Sequence, residues 1–467
     1  MDLLTRMRQI VGDDFATQDD AVLEVYTRDF TDVDGRCPAV VTWPASTNEV
    51  AAIVRTCAAH GTSVHPVAGG MNNWGLHLPK VDDTVVIDVS RMDAIVEVNE
   101  RDAYAVVEAG VTVAALEQAL AAVGYWTGYP RAPSSRARIV ANALIEGWGH
   151  VPLRMGNQAG LVNSLEVVLP TGEVARVGSA ALTGSWHSRH SMPDLVGLFL
   201  GWHGSTGIVT KMGIQISPRP AVEDLIVVDI DGPYTADSSR LVERLWSLEI
   251  LDDIEVIVSD EGAFLPGIGT WPSSSQQVRI KLSAPTAAIL DGYRSAVSDV
   301  FAEHLGSSAQ VRQLTPADVA EALKTPPRDS WDRDGWYGPS WGHADAYAYL
   351  PLGAVADTCR AYRKVCAEHR QLSSLILNCI GGSRTVKVAH WSEFDLADEA
   401  DTARGRAFLH AVVSLFISHG GTLWKAPPWV KREQYVGADP GFVSLLERVK
   451  GALDPSGTSA PGNLGYW

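Results

Sequence analysis

Short apolar runs alternate with amphipathic stretches over the first 110 residues, and the alternation predicts small strand, helix, strand units. "PAVVTWP" (38–44) is β-branched and bounded by prolines, as a short strand is. "STNEVAAIVRTCAAHG" then opens with Ser46 three residues before Glu49, keeps Val50, Ile53, Val54 and Cys57 on one stripe, and stops at Gly61. A capping box, a helical stripe and a terminal glycine predict a helix there. "SVHPV" (63–67) follows as a second strand. Such a unit crosses over between parallel strands, and the loop leaving its second strand opens at the carboxyl edge of the sheet, where α/β folds bind ligands.

That loop lies in "VHPVAGGMNNWGL" (64–76). Ala68, Gly69 and Gly70 leave successive backbone N–H groups unshielded, and Asn72 and Asn73 tolerate left-handed backbone, so the loop can curl around an anion, with pyrophosphate the expected guest. A plain glycine-rich turn between strands is the competing reading. The spacing is neither that of a Walker loop nor G-x-G-x-x-G, which leaves a nicotinamide Rossmann reading without support.

Residues 84–124 give three strand-like runs, then Gly110, then a helix from Thr112 to Val123. "RIVANALIEGWGHVPLRMGNQAGLVNSLEVVLPTGEVARVG" (138–178) reads as a small-residue loop leading into a hairpin turned at Thr171 and Gly172. Between 220 and 420 the pattern changes: candidate strands "DLIVVDID", "QQVRIKLSA" and "ADAYAYLPL" are separated by amphipathic helical stretches such as "AVADTCRAYRKVCAEH". At 467 residues the chain exceeds one core, so at least two domains are expected.

Composition narrows the partners. No apolar run approaches the roughly 20 residues of a membrane span. The N-terminus turns acidic where a signal peptide would need its apolar region, which argues for the cytoplasm. A formal charge of -17 without a basic block argues against nucleic acid or an anionic membrane as partner. The five cysteines, at 37, 57, 359, 366 and 379, form no CxxC pair, so buried thiols are expected, with neither disulfide nor structural metal.

The order of these segments resembles the vanillyl-alcohol oxidase and para-cresol methylhydroxylase family of FAD-dependent oxidoreductases, over about 36–220 and again from about 420 to the end. The phosphate loop matches Val67 to Asn73, "ANALIEGWG" matches with Asn142, Gly147 and Gly149, "GIVT" stands at Gly207 to Thr210, and the terminal motif appears as Asp454, Pro455, Gly457, Ala460, Pro461 and Gly462. The resemblance implies an α+β fold: a two-part FAD-binding domain from residues 1–219 and 421–467, and a central cap with an antiparallel sheet, 220–420. It implies cofactor contacts at Val67, Ala68, Gly69, Gly70, Met71, Asn72, Asn73, Gly110, Ser135, Ile139, Asn142, Gly149, Gly207, Ile208, Val209 and Asn463. Arg136 or Arg138 could offset pyrophosphate charge, since relatives often have glycines where Ser135, Arg136 and Ala137 stand.

Relatives that tether the flavin through the phosphate loop do so at the place of Met71, and others use a cysteine near Ser134 or Ser135; neither residue type is present, so non-covalent FAD is expected. A third tethering place, on a cap strand, falls near Ala346. His343 is the possible tether there and Tyr347 is next to it, although strand alternation sets His343 at an odd offset.

At the substrate end, the family's aromatic residue after the phosphate loop falls on Trp74 and its tyrosine-arginine pair on Trp424 and Lys425. Indoles cannot accept a phenol's proton, which argues against a simple para-hydroxybenzyl substrate. Lys425 can still pair with a carboxylate, phenolate or enolate oxygen, and Asn157, where some relatives have an acid, could orient a substrate but not act as base. Trp148, Trp202, Trp331, Trp336, Trp341, Trp424 and Trp429 favour a flat aromatic substrate.

The resemblance thus implies hydride transfer from an aromatic or bulky alcohol, amine or benzylic carbon to FAD. Dioxygen or another acceptor then takes the electrons, and a homodimer is possible. A 2-hydroxy-acid or lactone dehydrogenase is the alternative. It calls for paired basic or metal-binding residues in the cap, and "HSRH" (187–190) is the one compact histidine pair. A flavin-binding protein with lost or redirected catalysis is the third reading.

Overall fold

In the computed structural model, which describes residues 2–72, 74–128, 136–149, 151–190, 193–265, 269–270, 275–305, 309–312, 314 and 341–465, Ser46 caps the first long helix. Its hydroxyl accepts from Glu49 N at 3.3 Å, while the Glu49 carboxylate reaches back to Ala45 N at 2.7 Å. Strand β1 (Val40–Thr42), helix α1 (Thr47–His60) and strand β2 (Ser63–Val67) follow the expected order. β1 and β2 run parallel without touching, because β3 (Thr84–Asp88) inserts between them and pairs in parallel with both.

β4 (Ile95–Asn99), β5 (Tyr104–Glu108), α2 (Val113–Ala121), α3 (Ile139–Leu144), β6 (Val162–Val168), β7 (Val174–Gly178) and β8 (Ile208–Gln215) come next. Their strands form an antiparallel sheet in the order β4-β5-β8-β6-β7. The hairpin turns where expected, with Gly172 N donating to Leu169 O at 2.7 Å. α3 lies where a loop is expected; Ile139, Val140 and Ala143 bury one side of a helix too short and too poorly capped to announce itself.

The cap is an antiparallel sheet from β9 (Val222–Asp231), β10 (Asp253–Ser259), β11 (Ser275–Ala284), β12 (Trp341–Pro351), β13 (Ser374–Ile380), β14 (Thr385–Asp395) and β15 (Thr422–Lys425), in the order β9-β11-β10-β13-β14-β12-β15, with a short strand at 309–312 beside β9. Among the helices packed on its far side are α4 (Leu352–Glu368) and α5 (Glu399–Ser418). β15 pairs with β12, and Leu423, Ala426 and Val430 belong to the cap's apolar core. The boundary expected at 420/421 therefore cuts this unit; the chain leaves the cap only after about residue 430. The reason is plain in the register: the strand that carries Trp424 and Lys425 completes the edge of the cap sheet.

The chain then returns through α6 (Pro440–Leu453) to the first domain. Val64 N donates to Thr458 O at 2.9 Å and Ala460 N to Val64 O at 2.8 Å, so the last segment lies against β2. Asp454 explains the terminal motif. Its carboxylate accepts from Ser459 N at 2.9 Å and from Lys450 Nζ at 2.5 Å, and Lys450 also donates to Ser205 O and Ser459 O. The returning chain end is thereby clamped beside the phosphate loop.

All five cysteines are free thiols; four are buried, with Cys359 and Cys366 on one stripe of α4. Cys37 is exposed rather than buried, because it sits in the extended entry to β1 and not on a packed face. Among the described residues no helix is long and apolar enough to cross a membrane.

Candidate active site

The loop after β2 takes its shape from two glycines in left-handed backbone, Gly69 (φ +93°) and Gly70 (φ +64°). Asn72 does not share that conformation, contrary to expectation. It works through its side chain instead, accepting from Trp74 N at 3.1 Å and Leu76 N at 3.0 Å, which closes the loop as an Asx turn does. Behind the loop lies a cavity of about 170 Å³. Val67, Ala68, Gly70, Met71, Asn72, Asn142, Gly207, Ile208 and Val209 line it, so residues far apart in sequence meet there.

The other expected contacts lie around the wall. Gly69 carries the stem of Arg138, Gly110 N donates to Met92 O at 2.7 Å, Ile139 is buried in the core, and Gly149 is buried beside Trp148. Asn463 donates to Leu76 O and His203 O, both at 3.1 Å, and so braces two walls. Asn73, Ser134 and Ser135 fall outside the described residues.

Arg138, not Arg136, lines the cavity, and its Nε has no hydrogen-bond partner; nor has Asn142 Nδ2. A side chain on Gly147 would begin 2.0 Å from that amide, which accounts for the glycine. His203, unremarked in the sequence, also lines the cavity, in a left-handed conformation (φ +51°) with Lys431 Nζ donating to its Nε2 at 2.9 Å.

Where the cap sheet meets the first domain, aromatic rings from both form a cluster, termed the aromatic chamber. Tyr347 stacks on Trp424 at 5.4 Å and meets Trp74 edge-on at 5.5 Å. Trp148 lies 5.9 Å and Tyr349 5.5 Å from Trp424. The indole nitrogens of Trp74, Trp148 and Trp424 are buried without acceptors. Asn157 Nδ2 stands 3.4 Å from Tyr349 Oη, at the chamber's edge. Of the other tryptophans singled out by sequence, Trp429 packs on His410 away from the chamber, Trp202 is half-buried, Trp331 and Trp336 are outside the described residues, and only the backbone of Trp341 is described. Trp391, which the sequence reading passed over, packs on Tyr347 at 6.4 Å.

Lys425 is 7% exposed, with Nζ 4.0 Å from the Trp424 ring and 4.9 Å from that of Trp74. Neither a hydrogen bond nor an ion pair to Nζ is present among the described residues. Burial first, then the nearby Lys387, push its ammonium down to about 7, against the pull of Glu146 and Asp345. Lys387 is the basic residue that sequence missed; its Nζ lies 4.7 Å over Trp148 and 5.7 Å over Tyr347. Glu146 was also missed, although it stands inside the quoted "ALIEGWG". It holds a left-handed conformation (φ +57°), and burial raises its carboxyl against the fields of Lys425 and Lys431. Non-glycine residues held in this region cluster at functional sites.

The β12 face reverses one expectation. Ala344, Ala346 and Ala348 point into the cap core, whereas Asp345, Tyr347 and Tyr349 face the first domain. His343 is on their side, so its odd offset from Ala346 places it toward the site, not away from it. Its Nε2 is 2.6 Å from Asp345 Oδ1 and the ring is buried. His187 and His190 are exposed, and no cluster of three or more potential metal ligands occurs among the described residues.

Residues 38–178 match the FAD binding domain family model. Over its whole length the fold matches 4-ethylphenol oxidase from Gulosibacter chungangensis (TM-score 0.82, 24% identity, 99% of this chain and 96% of that one). p-Cresol methylhydroxylase follows at TM-score 0.80, with 20% identity, 99% of this chain and 96% of that one. The chain thus carries an FAD binding domain and shares the fold of the PCMH-type FAD-dependent oxidoreductases. Curated relatives of the chain include 1'-carboxy-chondrochloren decarboxylase of Chondromyces crocatus, 32% identical over 46% of this chain but only 40% of that protein. Glycolate oxidase subunit GlcD of Bacillus subtilis (strain 168) is 23% identical over 99% of this chain and 96% of its own. FAD fits what is present: a backbone nest for a pyrophosphate, a small-residue cavity, and donors at Arg138 Nε and Asn142 Nδ2 that have no partner among the described residues and suit its acceptor oxygens.

Proposed function

We propose that this FAD-dependent oxidoreductase oxidises an aromatic or otherwise bulky alcohol, amine or benzylic carbon that carries an anionic oxygen, and that Lys425 holds that oxygen. The observation that carries the reading is a buried lysine with indoles around it and, among the described residues, no carboxylate in ion-pair contact with it, Glu146 and Asp345 acting only through their fields. An uncompensated buried ammonium is costly, and the cost falls when a carboxylate, phenolate or enolate enters. Bound FAD would supply a two-electron acceptor for hydride at N5. Trp74 and Trp424, with Tyr347 between them, form the aromatic wall against which the substrate lies, Asn157 orients it through its amide, and Lys425 stabilises charge that gathers as the hydride leaves. Val67 to Asn73, Gly110, Ser135, Ile139, Asn142, Gly149, Gly207 to Val209 and Asn463 hold or brace the cofactor, joined by Arg138. Dioxygen or another acceptor completes the cycle.

Attachment of FAD is non-covalent in this reading. Met71 offers no nucleophile, and His343 is committed to Asp345. Acid precipitation tests it: flavin should stay in the supernatant, and fluorescence left on the protein would point to Tyr347 or His343. The substrate reading is tested by anaerobic bleaching of the flavin with aromatic alcohols, amines and hydroxy acids. Bleaching by short aliphatic hydroxy acids alone would replace it.

A second reading, a 2-hydroxy-acid or lactone dehydrogenase, draws support from Lys387 and Lys425. They are the paired basic residues it calls for, and both stand on the cap sheet. The name of one relative, a glycolate oxidase subunit, points the same way.

A further inference from the structure

Tyr347, Asp345 and His343 form a linked chain on the face of β12 that looks toward the first domain, and the reading above gives it no task. Tyr347 donates to Asp345 Oδ2 at 2.9 Å and accepts from Trp391 Nε1 at 3.0 Å. Asp345 is fully buried, and its other oxygen stands 2.6 Å from His343 Nε2, a contact between ionisable groups more than an aligned hydrogen bond. His343 is held in place by its own backbone, whose N–H donates to Phe30 O at 2.8 Å, and by the Phe30 ring 6.1 Å away. The chain begins in the chamber, because Tyr347 is half-buried between Trp74 and Trp424 and lies opposite Lys425 in the sheet register.

We propose that Tyr347 Oη accepts the proton released by the substrate, with Asp345 and His343 behind it as the proton store, and that the oxidised group is accordingly a hydroxyl. The proposal rests on the chamber being the substrate site. The substrate's C–H electron pair departs as hydride to FAD and a C=O bond forms. Its O–H bond breaks, an O–H bond forms at Tyr347, and Tyr347's own proton moves to Asp345 Oδ2. The negative charge of Asp345 is thus the base consumed. A neutral His343 at 2.6 Å lets the pair keep that proton, whereas a cationic His343 opposes its arrival. Neither Lys425 nor Lys387 can serve in this role while protonated, and Asn157 never can.

Burial alone would lower His343, but Asp345 and Glu393 outweigh it and raise the imidazole above its ordinary value. His390, on the other side of the sheet, is held low by its own burial and by His343. Lys387 and Lys425 face Tyr347. The relay is open above the His343 titration and closed below it. Lys425, depressed to about 7, also titrates, but its charge acts on binding of the anionic end, so it appears in the dissociation constant and leaves the limiting rate to the relay.

The test uses FAD-loaded wild type, Tyr347→Phe, Asp345→Asn and His343→Gln, reduced anaerobically by saturating 4-(hydroxymethyl)benzoate or mandelate in stopped flow between pH 6 and 9. Tyr347→Phe should slow the limiting reduction on the order of a hundredfold, as loss of one general base does, with FAD content and dithionite reduction unchanged. The wild-type limiting rate should fall as pH drops, and His343→Gln should remove that fall. A Tyr347→Phe rate equal to wild type overturns the relay and leaves the substrate reading standing. A slowed Tyr347→Phe with an unaltered pH limb in His343→Gln overturns the store behind it. Failure of both probes to bleach the wild type overturns the relay together with the substrate reading.

Discussion

Two buried lysines divide this molecule into a part that is finished and a part that waits. Lys450 Nζ has three oxygen acceptors, Ser205 O at 2.7 Å, Ser459 O at 2.9 Å and Asp454 Oδ2 at 2.5 Å, and it clamps the returning chain end beside the phosphate loop. Among the described residues Lys425 has none, and its Nζ rests against indole faces. Both are about equally sealed from solvent, at 7% exposure, so burial alone does not separate structural from functional lysines. What separates them is whether the fold supplies the counter-charge. In the clamp, carboxylate and carbonyls offset desolvation. In the chamber the offset has to come from outside.

Substitution should expose the difference. Lys450→Met leaves Asp454 buried without its cation and should cost about 3–5 kcal/mol of stability, as broken buried pairs do. Thermal or urea unfolding followed by far-UV circular dichroism reads it, and the surviving FAD-loaded fraction should still be reduced by substrate at the wild-type rate. Lys425→Met should do the reverse: little or no loss of stability, since it removes an unpaired buried charge, and flavin reduction slower by about ten- to a thousandfold. Lys425→Arg keeps the charge and should recover part of that rate, limited by the fit of a guanidinium between Trp74 and Trp424.

A smaller effect separates the two in pH. Lys425 is depressed to about 7 in the folded chain and titrates near its ordinary, higher value when unfolded. Between those values the unfolded state binds the extra proton, so this site destabilises the fold at low pH and the penalty fades as pH rises through 7 toward 10. Unfolding free energy should therefore climb over that range in the wild type, with a shallower climb in Lys425→Met. Smallest of all, Trp74→Phe should weaken the aromatic hold on the ammonium by about 0.5–2 kcal/mol, seen as a changed dissociation constant for an aromatic anion and not as lost fold.

Much of the first domain could be read directly from the sequence. Ser46 and Glu49 announce α1, the glycines at 69 and 70 announce the nest, and Asp454 with Gly457 announces the clamp, because each depends on local backbone demands that few residues satisfy. The cap was harder. Its alternating strands reveal that a face is buried but not which neighbour buries it, so the alanines of β12 could be read as facing the flavin when they face α4 and α5. The alternation His343, Asp345, Tyr347, Tyr349 against Ala344, Ala346, Ala348, Leu350 was the available signal, since small residues suit helices packed close on a sheet. Lys387 carries no comparable mark: a lysine in a polar-apolar strand reads as solvent-facing until β12 and Trp148 close over it. Glu146 is hidden for the same reason, its strained backbone being a property of the fold alone.

The central claim is that Lys425 waits for an anionic oxygen, and proton linkage on binding tests it most directly. Calorimetric titration of FAD-loaded protein with benzoate at pH 8, in buffers of different ionisation enthalpy, counts protons taken up per ligand bound. An ammonium depressed to about 7 is mostly neutral at that pH, and a carboxylate placed against it restores the proton. The account predicts uptake approaching one proton per benzoate in the wild type and none in Lys425→Met, with weaker binding in the variant. Benzoate binding with no proton uptake, or with the same uptake in Lys425→Met, would contradict it.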